Sequence, residues 1–83
     1  MKIQVTQGDI DSGVRNNCTM CPVALAIKGQ SNLEHIAVSR FDVSFWRDHH
    51  WAFSPLPFEV IQFIAYFDEG KTVEPFIFDL EGV

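Results

Sequence analysis

The segment from Phe58 to Glu69, Phe-Glu-Val-Ile-Gln-Phe-Ile-Ala-Tyr-Phe-Asp-Glu, is bracketed by Pro57 and Gly70. Proline fits the opening turn of a helix, where its missing N–H would have no partner, and glycine fits the end, where the chain turns left-handed. Within the run, Glu59, Gln62, Tyr66 and Glu69 recur at spacings of three, four and three, which lines them along one stripe of a helix. Every other face is apolar. Such a helix needs cover on more than one side, from a sheet and from a second helix, a loop or a partner.

Sheet elements are legible as period-two alternation. Lys2-Ile-Gln-Val-Thr6 alternates Ile3 and Val5 with polar neighbours, as a half-buried strand does. Thr6 stands three residues before Asp9, the spacing of a capping box, and predicts a brief helical turn over 7–13. Residues 12–17 form a turn-rich connector. Pro22 opens a second helix, with Gly29 expected just past its end. Glu34 to Ser39 is a strand with Ile36 and Val38 on one face. Phe41, Val43 and Phe45 repeat the alternation against Asp42, Ser44 and Trp46, which suggests an antiparallel pair across a tight turn at 39–42; one continuous bent strand is the alternative. Arg47 to Pro57 reads as a loop, because Pro55 and Pro57 interrupt regular structure. After Gly70, Thr72-Val and Phe76 to Leu80 supply one or two terminal β pieces, with Phe76, Phe78 and Leu80 facing one way and Ile77 the other.

The order β, α, α, β, β, α, β predicts an α+β fold: one compact domain over 1–83, with a small antiparallel or mixed sheet packed against short helices. A chain of 83 residues buries roughly 60–65% of its extended surface and leaves on the order of 5,000 Å² exposed. That is room for one core and for a surface binding site, more readily than for a deep catalytic cleft. A hydrophobic content of 47%, with eight Phe, two Trp and one Tyr, argues against disorder.

Six Lys and Arg against eleven Asp and Glu leave a net charge of −5, so no basic stripe is present to neutralise phosphates and direct nucleic-acid binding is not expected. The charge favours steering toward a basic partner surface. One such partner is a nucleic-acid-processing protein, whose phosphate-binding channel an acidic inhibitor would occupy in competition. The amino terminus lacks a secretory pattern and no apolar run reaches the ~18–20 residues needed to span a bilayer. A cytoplasmic location without a membrane partner is therefore expected.

Cys18-Thr-Met-Cys21-Pro22 places two thiols at the start of the second helix. Three chemistries fit that spacing. The thiols are structural; or Cys18 attacks as a thiolate and Cys21 resolves, in thiol redox chemistry favoured by a helix amino terminus; or both ligate zinc, with His35, His49 or His50 completing a tetrahedral site. The reading favours structural thiols and no cofactor, with zinc as the alternative. Phosphate-loop, nucleophile-elbow and His-Glu-x-x-His patterns are absent from the sequence, and paired carboxylates such as Asp9 and Asp11 or Asp68 and Glu69 carry no acid/base geometry by themselves. The sequence leans away from an enzyme.

Two stretches, Cys21-Pro-Val-Ala-Leu-Ala26 and Phe67-Asp-Glu-Gly-Lys-Thr-Val-Glu-Pro-Phe-Ile-Phe78, give the chain a resemblance to small phage-encoded accessory proteins. The resemblance implies a virus-associated protein that engages a host factor in the host cytoplasm. With no catalytic pattern, the sequence is read as a non-enzymatic protein-binding module. Its expected interface is an acidic aromatic face made by Asp42, Trp46, Asp48, His49, Trp51 and Glu59, where an aromatic ring enters a pocket and the carboxylates select a basic rim. The competing reading has both tryptophans complete the core.

Overall fold

In the computed structural model, which describes residues 1–82, eight elements follow one another: β1 (Lys2–Val5), α1 (Gln7–Ser12), α2 (Pro22–Gln30), β2 (Glu34–Val38), β3 (Asp42–Arg47), β4 (His50–Pro55), α3 (Phe58–Asp68) and β5 (Phe76–Asp79). They form an α+β architecture whose antiparallel strands pack against short helices. The strands make two sheets instead of the one expected: β1 pairs with β5, and β2, β3 and β4 form a three-stranded sheet in that order. Helix α2 packs on α1, β1 and β2, and so ties the sheets together. The accessible surface is 5042 Å².

Local chemistry accounts for most boundaries. The Thr6 hydroxyl accepts from Asp9 N–H while the Asp9 carboxylate accepts from Thr6 N–H, a complete capping box for α1. Helix α3 ends as its glycine predicts: Gly70 has φ +81° and its N–H reaches the Phe67 carbonyl, while Lys71 N–H reaches Tyr66. Gly29, expected to stop α2, instead lies inside it. The helix runs on to Gln30, and Ser31 closes it by donating its hydroxyl to the Ile27 carbonyl. Only one terminal strand forms, since 71–75 is irregular.

The core draws on every layer. Ile3 and Val5 from β1, Val23, Ala24 and Ile27 from α2, Val43 and Phe45 from β3, and Val60 and Phe67 from α3 are all buried. Phe63 of α3 meets Phe76 of β5 with ring centroids 4.7 Å apart, which anchors the helix to the two-stranded sheet. The connector 12–17 does more than link. Arg15 donates Nε–H to the Phe67 carbonyl and Asn16 N–H donates to Asp68, so it straps the carboxyl end of α3.

The segment read as a loop, Arg47 to Pro57, is mostly strand. Its reversal uses two residues, Asp48 and His49, with φ of +52° and +68°, as a type I′ hairpin turn requires. Pro55 is tolerated because it is the last residue of β4 and, being in a non-hydrogen-bonded position opposite Asp42, owes no N–H to β3.

Candidate functional site

Side chains alternate along a strand, so Asp42, Ser44 and Trp46 of β3 and Trp51, Phe53 and Pro55 of β4 share the face turned away from buried Val43 and Phe45. The register sets Trp46 opposite Trp51 and Ser44 opposite Phe53. In a two-residue hairpin Arg47 and His50 exchange ladder hydrogen bonds, which makes Trp46 and Trp51 a non-hydrogen-bonded pair, the class with the closer side chains. Their rings meet edge to face, centroids 5.5 Å apart at 80°.

A third ring joins them from β2. Between Glu34, opposite Trp46, and Ala37, opposite Ser44, β2 carries one residue more than β3, a bulge. His35 takes a left-handed φ of +51° there and its imidazole lies 6.2 Å from the Trp51 ring. The cluster stays open to water. Trp51 is 54% exposed, Phe53 69%, and Trp46 is half-buried. The tryptophans therefore do not complete the core.

Carboxylates stand at both ends of this face. Glu34 flanks Trp46 and Asp48 forms the hairpin tip, both exposed; at the far end Asp42 accepts a hydrogen bond from the Ser39 hydroxyl at 2.8 Å. His49 shares the tip, and the His50 ring sits 3.0 Å from the Asp48 carbonyl. Of the residues expected at an interface, Asp42, Trp46 and Trp51 thus share one face, with Asp48 and His49 at its end. Glu59 lies elsewhere: it borders a groove between α3 and the 72–77 segment, with Phe63, Phe76 and Ile77. Phe53 was missed in the sequence, where it falls inside the presumed loop. Its signal was the alternation Trp51, Phe53, Pro55 directly after a possible two-residue turn.

The cysteines lie apart from these rings, in a small groove with Asn16, Asn17, Val38, Ser39, Arg40, Ile64 and Asp68. Both are free thiols. Cys21 is the N-cap of α2, its Sγ accepting from Ala24 N–H at 3.5 Å. Burial pushes its thiol above the ordinary value of 9.0, outweighing the amide hydrogen bonds of Ala24 and Val23 that favour the thiolate, and the charge of Asp68 adds to the rise. Cys18 is exposed, outside the helix, and its carbonyl accepts from Val38 N–H at 2.7 Å. His35 packs on the tryptophans and His49 and His50 sit at the hairpin, and no three His, Cys, Asp or Glu side chains among the described residues gather as a metal ion requires. The zinc alternative does not fit this arrangement.

No protein-family model, curated protein or solved structure matches the chain. Among the described residues no helix is long and apolar enough to cross a membrane.

Proposed function

We propose that the chain is a non-enzymatic protein-binding module whose docking surface is the outer face of the β2–β3–β4 sheet. The observation that carries this reading is the solvent-exposed cluster of Trp51 and Phe53, backed by Trp46 and His35 and flanked by Glu34, Asp42 and Asp48. A small domain has strong reason to bury its largest rings, and leaving two of them in water on one sheet face is characteristic of an interaction site. The acidic flanks favour a basic partner surface and speed the encounter. Two free cysteines accord with a reducing cytoplasm, and the resemblance to phage accessory proteins makes host proteins the set in which to seek the partner.

The magnitude bears on how such a partner binds. Covering the exposed parts of Trp51 and Phe53 removes on the order of 250 Å² of apolar surface from water, about 6 kcal/mol at ~25 cal/mol/Å². Association costs roughly 4–15 kcal/mol, so the rings alone give weak capture and polar contacts must add to them. The test is acrylamide quenching of tryptophan fluorescence with a partner recovered from host lysate and purified. Saturable binding that shields the exposed indole of Trp51 supports the reading; a partner that binds and leaves Trp51 as quenchable as before refutes it.

A further inference from the structure

Ladder geometry decides which strand edges are open. Val38 N–H points away from β3 and is taken by the Cys18 carbonyl, so the carboxyl end of β2 is covered, and the bulge at His35 interrupts the rest of that edge. The outward N–H and C=O of Gln4 in β1 are both taken by the side chain of Gln30, at 2.8 and 2.6 Å. Strand β5 is four residues long, begins after Pro75 and ends on the charged Asp79, features that discourage pairing. β4 has none of these protections along its length. In the hairpin register His50, Ala52 and Ser54 direct their backbone groups to β3, which leaves the N–H and C=O of Trp51 and Phe53 pointing outward, and these find no partner among the described residues. No carboxylate, lysine or arginine interrupts His-Trp-Ala-Phe-Ser-Pro, and Pro55 blunts only its end.

Resting on the reading of this surface as a docking site, we propose that the partner binds by strand addition: an extended segment of another protein pairs with the backbone of Trp51 and Phe53 and becomes the fourth strand of the β2–β3–β4 sheet. Its side chains on the outer face are apolar where they pass Trp51 and Phe53, and lysine or arginine at its ends, toward Asp48 at the hairpin tip and toward Asp42 opposite Pro55. The same two residues thus supply both hydrogen bonds and rings, with main-chain pairing giving affinity and the alternate side chains giving selectivity. A second copy of this chain is the less favoured occupant, because apposing two chains of net charge −5 brings like charge together.

The probe is the seven-residue synthetic peptide Arg-Thr-Val-Thr-Val-Thr-Lys, whose odd positions share one face with valines at the centre and a cation at each end, titrated into the full chain and followed by amide NMR. The expected result is a shift of the Trp51 indole resonance together with at least a tenfold slowing of hydrogen exchange at the amides of Trp51 and Phe53. N-methylation of the peptide nitrogens that face β4 should weaken binding at least tenfold, and a peptide with aspartate and glutamate in place of the basic residues should bind at least tenfold more weakly. Indole shifts without protection of those two amides overturn strand addition while leaving the aromatic face as a docking surface. Equal binding of the acidic peptide, or no response to either peptide, overturns the assigned partner chemistry. Amides of Trp51 and Phe53 already protected in the free protein, with a dimer mass by sedimentation, assign the edge to a second copy and overturn the proposal.

Discussion

Trp46 and Trp51 stand directly opposite each other at a non-hydrogen-bonded position of the β3–β4 hairpin, rings edge to face at 5.5 Å. One ring is half-buried and the other mostly in water, so the pair stiffens the hairpin while presenting Trp51 outward. Aromatic pairs of this geometry contribute about 0.5–1.5 kcal/mol beyond area burial. A double-mutant cycle on Trp46→Ala and Trp51→Ala, read by urea denaturation, is expected to return a coupling energy of that size. A coupling near zero contradicts a stiffening role.

The hairpin tip holds two non-glycine residues at positive φ, Asp48 and His49. Each costs about 1 kcal/mol relative to a residue that accepts the left-handed region freely. Replacing them with the preferred pair, Asp48→Asn with His49→Gly, is expected to stabilise the protein by about 1 kcal/mol and raise Tm by roughly 4–8 °C. A fall in Tm contradicts the type I′ assignment.

Gly13 lies where a Cβ would come 2.6 Å from the ring carbons of Pro22. That ring is buried at the first turn of α2, so it has little room to yield. Gly13→Ala is expected to cost about 1–3 kcal/mol in denaturant unfolding. An unchanged midpoint contradicts the close packing of the connector against α2.

Cys21 makes stability depend on pH in a definite direction. Its folded-state pKa is raised above 9.0, so its contribution is intact below about pH 9 and declines as pH climbs toward and through the folded value, because the unfolded chain ionises more readily. Cys21→Ser keeps an oxygen able to accept from Ala24 N–H and removes the titration. Plotted as the difference between the two proteins, the relative stability of the parent is expected to fall as pH rises past the ordinary thiol value of 9.0. A flat difference contradicts a buried neutral thiol.

Hydrophobic period and capping chemistry made much of the fold legible. Ile3 and Val5, Ile36 and Val38, and Val43 and Phe45 alternate as they pack, and the Thr6 and Asp9 box forms as spaced. Strand β4 escaped because its pattern is inverted: large rings at Trp51 and Phe53 face water, while small Ala52 and Ser54 face inward and Ser54 is buried with its hydroxyl on the Glu81 carbonyl. Its prolines read as breakers, yet Pro55 falls where no ladder N–H is needed. Gly29 misled because the tertiary contact of Gln30 with β1 and the local bond of the Ser31 hydroxyl to the Ile27 carbonyl hold one more residue of helix past it. The candidate interface was half legible. Asp42, Trp46 and Trp51 meet because an unforeseen hairpin brings β4 beside β3, whereas Glu59, on α3, borders a different groove.

The most direct measurement of the central claim is the affinity of a purified partner for the parent chain, for Phe53→Ser and for Ile77→Ser, by isothermal titration. Phe53 and Ile77 are 69% and 60% exposed, so both substitutions leave the core intact and are expected to change stability by no more than about 0.5–1 kcal/mol. Only Phe53 lies on the proposed docking surface; Ile77 is on β5. Phe53→Ser is expected to weaken binding at least tenfold while Ile77→Ser leaves it unchanged. Loss of binding in Ile77→Ser with full affinity retained in Phe53→Ser would contradict that docking surface.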